Sequence, residues 1–313
     1  MQVVAAPLYR SSGDRVSANR NGSVDYLRLV AAAGIVVFHL GGEGARVGYA
    51  GLPVLAVLMG VFAVGRLDSA DGRKGLARQA RHLMLIWLAW SGLYGMMKLA
   101  DLLASGTSFA DEFALSMLLT GPAIHLWFLP FAAGTLTLMR LASGWLRPRT
   151  VAGFIRCAAV AGGASLAGFH LAATTGLPTP LPQWTTILPS LSFGLLLGMA
   201  LGDRTRLALW GAALAVVLVL GTLTGATSEV ALLAAALAAV GAALALPLPQ
   251  TSGSDLARRM SMSVYLLHPL VVAVLLRLGD WPRETLPMLM AVLAASAIGG
   301  LALLRSPFGR WSA

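Results

Sequence analysis

Apolar runs long enough to cross a bilayer recur from residue 24 almost to the end of this 313-residue chain, and they leave few folds open. A hydrocarbon core about 30 Å thick takes about 20 apolar residues in helical form. Runs of that kind fall near 24–41, 48–65, 82–100, 124–143, 152–172, 184–202, 207–224, 229–246, 260–277 and 285–304. Inside the bilayer no water satisfies backbone N–H and C=O groups, so such segments must be helices that satisfy their own. The expected architecture is an all-α polytopic membrane protein with about ten transmembrane helices. Composition agrees, since 12% of residues are charged where a soluble domain carries about 25%. The single cysteine, Cys157, excludes an internal disulfide and a multi-thiolate metal site, and no metal is expected.

Residues 1–23 are polar, contain Arg10, Arg15 and Arg20, and lack the apolar core of a cleavable signal. The first span is therefore expected to serve as the insertion signal, giving an N-terminal tail (1–23), a membrane domain (24–305) and a short tail (306–313). Lys and Arg gather on the cytoplasmic side of short loops. With the N-terminus inside, that side takes Arg66, Arg73, Lys74, Arg78, Arg81, Arg140, Arg147, Arg149, Arg156, Arg204, Arg206, Arg258, Arg259, Arg305 and Arg310 besides the tail. Arg46, Lys98, Arg277 and Arg283 remain for the other side. Ten spans place both termini in the cytoplasm. The net charge of +10 then follows from topology and calls for no nucleic-acid partner.

Chemistry is concentrated in the first span, where Arg28 precedes His39 by eleven residues. Eleven helical steps advance about 16.5 Å and about 20° past three turns, so both side chains share one face near opposite ends of the helix. Ionisable groups at such positions usually face a protein interior or a cavity. The alternatives are an Arg28 that snorkels or pairs with Asp25, and a His39 that sits at the interface. The acidic residues all fall in loops or near span ends, which weakens an ion-coupled transporter. No Gly-x-Ser-x-Gly, Walker or His-Glu-x-x-His pattern is present. Gly194, Gly198 and Gly202 predict close helix packing. Residues 113–119 are too short to span and are expected at the interface or as a re-entrant piece. His82 and His170 are expected at span ends.

Several of these segments resemble, in order, the acyltransferase 3 family of membrane acyltransferases. Val24 to Leu40, with its Arg28 and His39, resembles the family's first helix. Gly51-Leu-Pro-Val-Leu-Ala-Val-Leu-Met-Gly60 resembles the second, and Ala77-Arg78-Gln-Ala-Arg81 the basic entry to the third. His125-Leu-Trp127-Phe-Leu-Pro130 and Ser263-Val-Tyr265-Leu-Leu-His268-Pro269 resemble motifs at the fourth helix and near the end of the domain. One departure is Met59, where the family's second helix usually carries serine.

The resemblance implies transfer of an acyl group, usually acetyl, from cytoplasmic acyl-CoA to a hydroxyl of a glycan or lipid-linked sugar. Acyl-CoA would be a co-substrate, with no permanently bound cofactor. Imidazole suits proton removal near neutrality, so His39 is expected as the catalytic general base or transient acyl carrier, with Arg28, the other candidate catalytic residue, stabilising the CoA or a neighbouring carboxylate. Arg66, Arg73, Lys74, Arg78 and Arg81 are the expected contacts of the CoA phosphates. His125, Trp127, Tyr265 and His268 are candidate acceptor-binding residues, with an aromatic belt and an interhelical packing hydrogen bond as their alternatives. The location implied is a bacterial plasma membrane, with lipids around the chain and envelope-biosynthesis proteins or a second copy as possible partners. A passive carrier for a lipid-linked sugar, or a silent component of polysaccharide export, is the competing reading.

Overall fold

The computed structural model describes residues 21–307 apart from 43, 107 and 175; Arg10, Arg15, Arg20 and Arg310 therefore lie outside the described residues. Among the described residues there are ten long helices: α1 (Gly22–Leu40), α2 (Gly51–Leu67), α3 (Ala70–Ser105), α4 (Phe128–Leu141), α5 (Val151–Thr174), α6 (Leu181–Ala200), α7 (Arg204–Leu223), α8 (Thr227–Ala245), α9 (Ser252–Leu278) and α10 (Leu286–Arg305). A short helix, Ala45–Tyr49, leads into α2, and a 3-10 turn, Ile124–Trp127, leads into α4. Two more short helices, Phe109–Glu112 and Met117–Thr120, break up the α3–α4 connection, so the apolar piece expected there is a single turn of helix.

Among the described residues, nine helices are long and apolar enough to cross a membrane, so the chain is an all-α polytopic membrane protein. The long helix outside that set is α6, whose sequence includes Gln183, Thr185, Thr186, Ser190 and Ser192. It packs against α2, α5, α7 and α8. Thr185 and Thr186 return their hydroxyl hydrogens to the carbonyl of Pro182, 2.9 and 2.8 Å away, so neither needs an outside partner.

Glycine sets the α2–α6 contact. A Cβ on Gly194 would lie 2.5 Å from the carbonyl oxygen of Val57, and one on Gly60 would lie 2.6 Å from the backbone nitrogen of Leu195. Gly198 meets the Val61 carbonyl in the same way, at 2.8 Å. The predicted packing ridge thus holds for Gly194 and Gly198. Gly202 belongs to the turn after α6, at φ 88°, where its use is backbone freedom rather than contact.

Helix α3 begins well before the span expected from hydropathy. Its first turns carry Asp71, Arg73, Lys74, Arg78 and Arg81, yet Ser69 caps the start by accepting a hydrogen bond from the Gly72 N–H at 2.9 Å. At about 1.5 Å per residue, its 36 residues reach about 54 Å, well beyond a hydrocarbon core. Those basic residues therefore ride on a polar extension of a helix, not on a loop.

The remaining caps follow the same logic. Thr251 and Ser254 form a reciprocal capping box at the start of α9. Asp203 accepts from the Arg206 N–H at 3.1 Å to start α7, and Thr285 starts α10. Helix α1 lies against α9 on one side and α2 on the other, with α8 and α10 nearby. That central place positions Arg28 and His39.

Candidate active site

A cavity of about 2480 Å³ opens between the basic ends of the helices. Pockets for single small molecules span about 300–1,000 Å³, so this one has room for a large, extended ligand. Arg28, Arg66, Arg147, Arg149, Arg156, Arg206 and Arg258 contribute to its walls, from α1, α2, the α4–α5 connection, α5, α7 and α9. Farther in, the lining turns apolar, with Ala32, Met59, Phe62, Ile86, Phe128 and Met262, and Tyr265 stands among the last residues. Met59, the residue that departs from the usual pattern, is thus part of the wall.

Arg28 combines two of the expected roles. It lines the cavity, and its guanidinium lies 3.4 Å from the buried carboxylate of Asp25 and 5.6 Å from the ring centre of Phe62. Gln250 donates to the other Asp25 oxygen at 3.3 Å. A buried carboxylate needs such partners, and together they hold Arg28 in one orientation on the cavity wall.

His39, at the opposite end of α1, does not line the cavity. It is solvent-accessible, and its ring lies 5.2 Å from that of His268 on α9. His268 in turn lies 5.4 Å from His125, which enters from the turn before α4. His125 and His268 are only 3% and 1% exposed, so this is an interior layer and not an interfacial belt. Tyr265 donates its hydroxyl hydrogen to the carbonyl of His125, which ties α9 to the start of α4. Tyr94 of α3 donates to the Leu266 carbonyl at 2.7 Å and packs edge-on against His125. Three helices and a turn therefore bring three imidazoles and two phenols together between the inner end of the cavity and the exposed face of His39.

Of the expected acceptor-binding residues, the structure gathers His125, Tyr265 and His268 beside His39. Trp127 is buried elsewhere in the same region, edge-on to Phe128 and Phe131. The basic group expected to hold phosphates divides. Arg66 lines the cavity and donates to Gln79. Arg73 instead donates to the last carbonyl of α2, Leu67, at 2.9 Å, and Lys74 faces Asp71 at the exposed start of α3. Arg78 and Arg81 are exposed, and none of these four joins the lining.

His82, expected at an interface, lines the cavity. The arginines of the α4–α5 connection, α7 and α9 were not singled out by sequence, because insertion topology already accounted for their charge. A signal was present in Arg147-Pro-Arg149, a short basic loop segment in which all three residues line the cavity. Tyr94 carries no local signal at all within its 36-residue helix.

The site thus joins an arginine-lined mouth to a layer of histidine and tyrosine side chains. Neither the curated proteins nor the solved structures gave a match to set beside it. The family profile of an acyltransferase domain, however, matches residues 21–305, which takes in every helix of the site. With nearly its whole length so matched, the chain belongs to the acyltransferase 3 family of membrane acyltransferases.

Proposed function

We propose that the protein moves an acyl group, most simply acetyl, from acyl-CoA held at the basic, cytoplasmic end to a hydroxyl of a glycan or lipid-linked sugar reached near His39. One observation supports this above the others: a single cavity runs from an arginine-lined mouth to Tyr265, which is one layer of side chains from His39. The phosphates of CoA match guanidinium groups by charge and by hydrogen-bond geometry. The pantetheine arm matches the apolar inner wall. His39 removes the acceptor's proton as its oxygen attacks the thioester carbonyl, and collapse of the adduct expels the CoA thiolate. Arg28 fixes the donor beside α1 rather than reaching the carbonyl, because about 16.5 Å of helix separates it from His39. The expected setting is a bacterial plasma membrane.

The test is CoA release from labelled acetyl-CoA by the purified protein in liposomes, with candidate glycans as acceptors. Wild type should release CoA in an acceptor-dependent way, and His39→Ala and Arg28→Ala should not, at unchanged expression and folding. Wild-type release by His39→Ala contradicts the assigned base. Passage of a lipid-linked sugar without thioester consumption would instead identify a carrier.

A further inference from the structure

The arginines at the mouth of the cavity differ in what already holds them. Arg28 faces Asp25, Arg66 donates to Gln79, and Arg258 lies 2.9 Å from Asp255. Arg147 reaches Asp68 at 3.0 Å, and Arg206 meets Asp203 at 3.2 Å. Arg149 and Arg156 line the same mouth, yet neither makes a hydrogen bond or an ion pair with the described residues. We propose that these two guanidinium groups form a subsite for a phosphate monoester, the 3′-phosphate of CoA. This inference rests on the acyl-transfer reading above, which supplies the ligand.

The fold holds Arg149 in place without using its charge. Arg147, just before it, is anchored to Asp68, the residue that follows α2. From the other side Arg206 donates to the Pro148 carbonyl at 3.1 Å. The loop also folds back onto the first turn of α5. A Cβ on Gly153 would lie 3.1 Å from the Pro148 Cβ, and Thr150 accepts a hydrogen bond from the Gly153 N–H at 3.1 Å. Thr150, Gly153 and Arg156 recur every third residue and all line the cavity, so one face at the start of α5 is turned inward. Arg156 is on that face, next to the loop that carries Arg149.

Position and charge both select the 3′-phosphate. CoA is a long molecule with its thiol at one end and this phosphate at the other. With the thioester at the inner end of the cavity, near Tyr265, the 3′-phosphate comes last, at the rim. Arg149 and Arg156 are exposed there. A phosphate monoester carries a charge of about −1.5 to −2 at pH 7, which two guanidinium groups balance. Each can give two parallel N–H bonds to its oxygens. An arginine already paired with a carboxylate brings no net charge to the ligand.

The experiment is equilibrium binding of labelled CoA and dephospho-CoA to the full chain in phosphatidylcholine nanodiscs. Wild type should bind CoA about ten- to twenty-five-fold more tightly, at up to about fivefold for each of two exposed contacts. The double variant Arg149→Gln/Arg156→Gln should bring that preference below about threefold while binding dephospho-CoA as wild type does, which shows that it is folded. Arg78→Gln/Arg81→Gln removes the same charge outside the lining and should keep the preference; its loss there would mean a general field and overturn the subsite. Equal binding of the two ligands by wild type, or a preference that survives in Arg149→Gln/Arg156→Gln, also overturns it. Displacement of CoA by phosphatidic acid mixed into the nanodiscs would give the site to a lipid headgroup and overturn the assignment to CoA. CoA bound with the expected preference, but no thioester consumed with any acceptor, would leave the subsite standing and overturn the acyl-transfer reading.

Discussion

At the mouth of the cavity, Arg66, Arg147, Arg149, Arg156, Arg206 and Arg258 supply the same group several times over. At the inner end Tyr265, His125 and His268 are each buried among other protein groups. Several mouth arginines also have carboxylate neighbours, as Arg147 has Asp68 at 3.0 Å and Arg258 has Asp255 at 2.9 Å. Exposed and duplicated charges contribute little individually and share the work of attracting an anion. A buried hydrogen-bonding group is different, because removing it leaves its partner's polar atom unsatisfied. The mouth should therefore tolerate change and the inner layer should not.

The largest expected effect is at the layer. His39→Ala should lower kcat by about 10²–10⁴-fold, the usual worth of a positioned base, with little change in acetyl-CoA affinity. Steady-state CoA release checks this. Tyr265→Phe comes next: it leaves the His125 carbonyl without its donor and should cost about 1–3 kcal/mol of stability, seen as a lower melting temperature in detergent. An unchanged melting temperature would mean that the layer tolerates change as the mouth does.

At the mouth, Arg149→Gln should raise KM for acetyl-CoA by no more than about fivefold, since an exposed ion contact is worth about 0.2–1 kcal/mol. Smallest of all should be Arg81→Gln, which lies outside the lining and should shift KM by less than about twofold, within the usual range for an isolated surface charge. Reversal of these last two would return the phosphate contacts to the start of α3, where sequence had placed them.

Much of the frame was legible in sequence because it follows from solvent. Apolar runs gave the helices to within a few residues at α1, α7 and α8, since lipid demands an apolar surface all along a span. Where a helix carries hydroxyls that bond its own carbonyls, as α6 does, or extends beyond a hydrocarbon core's thickness, as α3 does, hydropathy marks it less clearly. Tyr265 and His268 could be placed on one face by their three-residue spacing. Their meeting with His125 and His39 could not, since it depends on how α1, α4 and α9 pack. Arginine is used both to orient a membrane protein and to hold an anion, so a list of basic residues does not show which ones face inward. Arg78 and Arg147 look alike in sequence, and the fold turns only Arg147 toward the cavity.

The separation of binding at the mouth from transfer at the layer is tested most directly by a single-turnover experiment on His39→Ala. The variant would be loaded with labelled acetyl-CoA, washed free of excess, and mixed with acceptor. Retention of label with wild-type affinity, and no release of CoA on mixing, is the expected result. Release at the wild-type rate, or failure to bind the donor in a folded protein, would contradict it.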